Sequence, residues 1–262
     1  MKIRHISRRQ FGSLTRKICG TAVAASVMVE QAIANPPRGG DDEGKFDAAG
    51  DVLPWHGNTI VSPLPVCSPA FAAMLDINRE VTRRFRDIVS ATPPSSYHMT
   101  IFGGADPRHR ANQWWPEDLS QDASIDETTR YFLQRLGARR FTYPQPIRMV
   151  VDTSESLPDD PAVFLKPETT EIAETLYKLR AVLSESMGLK VPDIRTFRFH
   201  VTFGYRFRPF SPSRTNAWRA ALTTWRKEVA DKALVIEFPA PTFCVFDDMF
   251  AFTPRFVLPR RD

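Results

Sequence analysis

Two short segments carry residue types suited to acid–base chemistry: Tyr97-His98-Met99-Thr100-Ile101-Phe102 and Phe199-His200-Val201-Thr202-Phe203-Gly204. In a strand, residues two apart share a face. His98 then projects with Thr100 and His200 with Thr202, while Met99, Ile101, Val201 and Phe203 turn the other way, into a core. Imidazole titrates near neutrality, so of two such rings one can be neutral while the other is protonated. In-line displacement at phosphorus needs a base on the attacking water and an acid on the departing oxygen, which two opposed histidines supply without a metal. Threonine hydroxyls can donate to the non-bridging phosphate oxygens. A lone His-x-Thr is usually a partly buried strand histidine. Two copies, each behind an aromatic residue and each after a helical pattern, point to a site instead.

The elements that must position these residues follow from periodicity and punctuation. Ser68-Pro69 offers an N-cap and a first-turn proline for a helix carrying Phe71, Met74, Leu75, Val81 and Phe85, stopping before Pro93-Pro94. Tyr97 to Phe102 is the first histidine strand. A long connection containing Trp114-Trp115-Pro116 leads to a possible capping box, Ser124 with Glu127, and a helix to Gly137. Ile147–Val151 and Ala162–Leu165 read as strands. A periodic helix over Glu168–Met187 ends at Gly188, and Phe197–Phe207 reads as the second histidine strand. A helix over Ser213–Lys232 and short strands at Leu234–Phe238, Thr242–Phe246 and Met249–Thr253 close the chain. The repeated helix-then-strand order predicts an α+β class with two similar lobes.

The chain has 262 residues, 42% of them hydrophobic, enough for one large or two small packed domains. Glycine (12) and cysteine (3) are too scarce for a collagen-like or disulfide-scaffold protein. The net charge of +5 is misleading. Residues 1–34 hold six cations (Lys2, Arg4, Arg8, Arg9, Arg16, Lys17) and one anion, Glu30, so 35 less six and 30 less one leave 29 of each sign beyond them. A neutral remainder gives no argument for a long polyanion as ligand. The same segment runs from Ser7-Arg8-Arg9-Gln10-Phe11 through an apolar stretch to Ala32-Ile33-Ala34. That order predicts a cleavable secretory signal over 1–34, similar to the twin-arginine class, and hence a periplasmic or secreted protein. An irregular lead-in is expected over 35–57 and a single bilobal domain over 58–262. No membrane anchor is expected, and a monomer is. Cys67 and Cys244 could pair after export or stay as two unpaired thiols.

The paired motifs resemble the two-histidine (2H) phosphoesterase superfamily, which includes RNA-ligase-like 2′,3′-cyclic phosphodiesterases. Gly57-Asn58-Thr59, Pro94-Ser95-Ser96-Tyr97-His98-Met99-Thr100, Trp115-Pro116 with Asp118, Phe199-His200-Val201-Thr202 and Phe243-Cys244-Val245-Phe246-Asp247-Asp248-Met249 resemble one poorly characterised branch of it. The resemblance implies two similar antiparallel sheets flanked by helices around a central cleft. It also implies hydrolysis of a cyclic or linear phosphodiester, on a small nucleotide or an oligonucleotide end, with no cofactor and no metal. It carries His98, Thr100, His200 and Thr202 over as site residues and suggests His200 as base and His98 as acid, although the two can exchange roles with substrate orientation.

Arg198 and Arg206 are an even number of residues from His200, so a regular strand would put both on its face, where they could be phosphate-binding cations or a solvated strand end. Tyr97, Phe199 and Tyr205 should face away. Phe243, Phe246 and Phe250 could stack a base or form core. Asp247 could orient an imidazole or form a turn, Asn58 reads as a turn residue, and Trp114 and Trp115 as either a lid or a loop anchor. Two other functions compete with hydrolysis: a phosphate- or nucleotide-binding module without chemistry, and a metallohydrolase using His98, His200 and Asp247.

Overall fold

Ser68 opens the first helix as expected, its hydroxyl accepting the amide of Phe71 at 3.1 Å. The computed structural model describes residues 44–108, 110 and 114–261. The expected signal, the start of the lead-in and His109 lie outside them. Among the described residues are ten strands and four α-helices: β1 Gly57–Pro63, α1 Pro69–Arg84, β2 Val89–Ala91, β3 His98–Gly103, α2 Ile125–Gly137, β4 Ile147–Val151, β5 Ala162–Pro167, α3 Thr170–Met187, β6 His200–Thr202, β7 Gly204–Arg206, α4 Pro212–Lys232, β8 Ile236–Phe238, β9 Thr242–Phe246 and β10 Thr253–Val257.

Helix ends follow local chemistry. Ser124 and Glu127 form the reciprocal capping box that opens α2. Gly188 ends α3 in the left-handed region at φ 66°, where a Cβ would be strained.

The class is α+β, as expected, but the two halves are one sheet. Eight antiparallel strands run in the order β10-β9-β1-β3-β6-β5-β4-β8, and β2 pairs with β7 in a separate ribbon. The halves join at β3 and β6 through the single pair Met99↔Val201. Their junction is thus the two histidine strands, side by side.

Alternation along these strands is clean. Met99, Ile101, Val201 and Phe203 are buried, while His98, Thr100, His200 and Thr202 are half-buried. Beneath β3 and β5 lies α3, contributing Leu176, Leu179 and Leu183 to the core. Phe203, just past β6, packs between Trp218 and Trp225 of α4 with ring centroids 6.3 and 6.1 Å away. Each histidine strand is therefore backed by a rigid apolar layer.

Three expectations need correction. The strand expected over Phe197–Phe207 breaks at Phe203 into β6 and β7, because β7 leaves the large sheet to pair with β2. The strand β2 lies where the first helix was expected to continue; the helix stops at Arg84. The last strand starts at Thr253, since Met249 and Phe250 sit in a turn in which Asp248 accepts the amide of Phe250 at 2.7 Å. Within the described part of the lead-in, Phe46 is buried, bridges Val52 and stacks on Tyr205 with centroids 5.2 Å apart.

Cys67 is exposed and Cys244 buried, and both are free thiols. No helix among the described residues is long and apolar enough to cross a membrane.

Candidate active site

The pair Met99↔Val201 sets the register of the whole site. In an antiparallel pair, one step out on one strand is one step back on the other. His98 therefore stands opposite Thr202, and Thr100 opposite His200. The four polar side chains form the corners of one patch, with the imidazoles on one diagonal. Diagonal positions are about 7–8 Å apart, room for one phosphoryl group with a ring on either side.

Each ring is oriented by its own strand. Nδ1 of His98 lies 2.7 Å from the carbonyl oxygen of Ser96, and Nδ1 of His200 lies 2.8 Å from that of Arg198. A carbonyl can only accept, so Nδ1 carries the proton in both rings, and Nε2 is the nitrogen on the side of each ring away from its own backbone. Phe252 meets the His98 ring edge-on at 4.2 Å, and Phe164 lies 5.7 Å from the His200 ring. Burial lowers the pKa of His98 to about 4, the Ser96 carbonyl opposes this, and the nearby His200 lowers it further. His98 is therefore neutral at pH 7.

Two hollows flank the patch. One, of about 320 Å³, is lined by His98 and Thr100 with Trp55, Trp114, Phe246 and Phe252. The other, of about 220 Å³, is lined by His200 and Thr202 with Asp160, Phe164 and Arg206. Lys45 and Tyr205 line both.

Of the sequence-derived candidates, His98, Thr100, His200 and Thr202 come together. Arg206 lines the His200 hollow and pairs with Asp160 at 3.4 Å. Arg198 does not join it: its side chain is exposed, and it precedes the strand rather than continuing it, so parity fails. Its contribution is the carbonyl that holds His200. Tyr205, expected to face away, lines both hollows because the break at Phe203 resets the alternation. Tyr97 and Phe199 are buried as expected. Burial raises the Tyr97 phenol to about 12, against the hydrogen bond from Asn78.

The flanking residues divide. Phe243 is core, Phe250 packs on Phe46, and Phe246 lines the His98 hollow. Trp115 is buried, donating to the Ser120 carbonyl at 3.0 Å, so it anchors the loop, while Trp114 lines the hollow. Asp247 accepts from an imidazole, but that of His56, at 2.9 Å. Among the described residues no group of three or more His, Cys, Asp or Glu is placed to hold a metal ion.

Asn58 is not a turn residue. It lies buried in β1, accepting the Ala105 amide at 2.9 Å and donating to the hydroxyls of Thr128 and Thr129 at 3.2 Å each. It ties the loop after β3 to α2. Lys45 was missed altogether, since it lies in a Gly- and Asp-rich lead-in with no periodic pattern.

The two His-x-Thr strands thus stand side by side at the centre of one antiparallel sheet. The matching family model is "2H-phosphodiest: Domain of unknown function (DUF1868)", over residues 45–157, which includes His98 and Thr100 and ends before His200. The resemblance to the 2H phosphoesterases read from the sequence therefore stands. Among solved structures, a conserved protein of unknown function from Agrobacterium tumefaciens str. C58 matches at 29% identity and TM-score 0.76, covering 86% of this chain and 95% of that one. A phosphoesterase matches at 13% identity and TM-score 0.40, over 79% of this chain and 100% of that one. The protein TT0787 of Thermus thermophilus matches at 15% and 0.38, over 80% and 100%. No curated protein matches.

Proposed function

We propose that the protein is a metal-independent phosphodiester hydrolase acting on a cyclic phosphate, of the 2′,3′-cyclic nucleotide or oligonucleotide-end type. The observation that carries this reading is the diagonal placement of two imidazoles on paired strands, each with Nδ1 held by a backbone carbonyl of its own strand. A base and an acid on opposite sides of one phosphorus atom are what in-line displacement requires.

The low pKa of His98 favours it as the base, reversing the roles suggested by resemblance. Nε2 of His98 takes a proton from water as the water oxygen bonds to phosphorus. The bond from phosphorus to one ring oxygen breaks, and Nε2 of His200 gives its proton to that oxygen. The product is a phosphomonoester, and both rings return to their starting states by exchange with solvent. Thr100 and Thr202 donate to the non-bridging oxygens, where charge develops.

The export signature in the sequence adds that the mature enzyme meets its substrate outside the cytoplasm. The neutral charge beyond residue 34 favours a small ligand over long nucleic acid.

The test is turnover of 2′,3′-cyclic nucleotides by the purified protein with divalent metals chelated. His98→Ala and His200→Ala should each abolish it. Full activity in either variant removes the mechanism. Tight binding of a broad panel of phosphodiesters without cleavage would make the cleft a binding module instead.

A further inference from the structure

A phosphodiester anion gains negative charge on its non-bridging oxygens as the fifth ligand approaches phosphorus. The four corner residues offer two hydroxyls and two imidazoles to it, and His98 is neutral at pH 7. A permanent cation would have to come from elsewhere. Among the described residues lining the hollows, Arg206 reaches the His200 side and pairs there with Asp160. Lys45 lines both hollows.

Its position is built rather than incidental. The ammonium nitrogen lies 5.2 Å from the centroid of the Trp55 ring and 5.0 Å from that of Tyr205. Its carrier segment is pinned on either side. The Lys45 carbonyl accepts the Leu53 amide at 2.8 Å, and the next residue, Phe46, is buried against Tyr205 and Phe250. Asp106 shares the His98 hollow with Lys45, and Asp160 shares the other. A cation over aromatic faces keeps its charge, and an ammonium makes charge-assisted hydrogen bonds to phosphate oxygens.

We infer that Lys45, outside both histidine motifs, is the cation that binds the substrate phosphate between the two hollows. The inference deepens the hydrolase reading and rests on it for the identity of the ligand. It assigns Lys45 to binding a non-bridging oxygen and gives it no proton-transfer role.

The experiment titrates inorganic phosphate into wild type, Lys45→Met and Lys45→Arg, with melting temperatures measured alongside. Lys45→Met should weaken phosphate binding by about ten- to a hundredfold, the range for losing a hydrogen bond to a charged group. Lys45→Arg should keep most of the affinity, and the melting temperatures of all three should agree. Rescue by arginine separates a charge contact from a packing role, which methionine would serve as well. Equal phosphate affinity in wild type and Lys45→Met overturns the inference, as does wild type that binds no phosphate. If wild type hydrolyses no cyclic phosphodiester but its phosphate binding depends on Lys45, the hydrolase reading fails and this inference stands. If Lys45→Met both binds and turns over as wild type does, the reverse holds.

Discussion

Nδ1 of His98 lies 2.7 Å from the carbonyl oxygen of Ser96, two residues before it, and His200 repeats the contact with Arg198 at 2.8 Å. Each ring is thus oriented by the backbone of its own strand, and no second side chain is needed to fix its tautomer. This leads to a spectroscopic expectation. Nitrogen-15 shifts of the His98 ring at pH 7 should be those of a neutral imidazole with the proton on Nδ1, with Nε2 pyridine-like. A proton found on Nε2 would contradict the geometry and remove the base from the proposed mechanism.

The same ring sets a pH dependence for catalysis. With a pKa near 4, His98 is neutral through the physiological range. If it is the base, kcat/KM for a cyclic phosphodiester should hold as pH falls and drop only near 4, because that limb reports the free enzyme. If His98 were instead the acid, activity would already be vanishing above that pH. The acid limb, followed in wild type, therefore assigns the roles.

Stability should respond as well. The ordinary histidine pKa is 6.5, and His98 is lowered to about 4 in the folded state. Between those values the unfolded chain binds a proton that the folded chain refuses. Stability therefore rises with pH across that window, is lost on acidification, and is flat in this respect above it. One proton corresponds to at most about 1.4 kcal/mol per pH unit. Urea unfolding at pH 6.5, 5.5 and 4.5 should show wild type losing stability faster than His98→Gln. Parallel loss in the two proteins would mean that His98 titrates normally.

Arg180 is the link between the two histidine strands from behind. Its buried guanidinium donates to the Ile101 carbonyl on β3 at 2.7 Å and to the Asp193 carboxylate, in the segment leading to β6, at 2.8 Å. Burial lowers its pKa to about 10, against the pull of Asp193, so it stays charged at pH 7. Arg180→Met keeps much of the volume and deletes these two bonds together with the longer ones to the Asp193 and Ile194 carbonyls. The expected loss is about 2–3 kcal/mol, less than for a fully buried pair because Asp193 is partly solvated. A melting temperature within a degree of wild type would mean that the strands are held together without this bridge.

The histidine strands were legible because a two-residue period leaves its mark on composition: apolar Met99, Ile101, Val201 and Phe203 alternate with polar partners, and all four are buried. Helix ends were legible where a side chain or a glycine closes them, as at Ser68, Ser124 and Gly188. The break at Phe203 was not. Nothing local marks it, since β7 leaves to pair with β2, far away in sequence, and that long-range choice moved Tyr205 into the cleft; Arg198 was misplaced for a different reason, because the strand begins only at His200. Asn58 read as a turn because Gly57 precedes it, yet its amide is spent on three partners from distant elements. Lys45 had no pattern around it at all. Contacts made by tertiary structure leave no periodic trace.

Gly104 follows from the same buried asparagine. A Cβ at this position would lie 1.9 Å from the Asn58 side-chain oxygen and 2.2 Å from its backbone carbonyl, where no atom fits. Gly104→Ala must therefore push β1 away from the loop after β3 or expel the Asn58 amide, leaving the Ala105 amide unpaired. A buried unsatisfied group costs about 1–3 kcal/mol before any strain is added. Thermal unfolding should register a clear drop. An unchanged transition would mean that the loop relaxes freely.

The threonines separate stabilisation of the transition state from simple shape. Thr100 stands opposite His200 and Thr202 opposite His98, so each hydroxyl reaches the patch from the strand that carries the other histidine. Valine is close to threonine in shape, and these positions are half-buried on a strand that tolerates β-branching. Thr100→Val and Thr202→Val should therefore fold normally. What they remove is one donor each to the oxygens where charge develops, and deleting such a donor typically lowers kcat by about a hundred- to a thousandfold. KM should move far less, since the bond strengthens as charge accumulates rather than on binding. A rise in KM with kcat preserved would assign the hydroxyls to ground-state binding. A normal kcat and KM in both variants would mean that the phosphate sits elsewhere, away from the patch formed by the two strands.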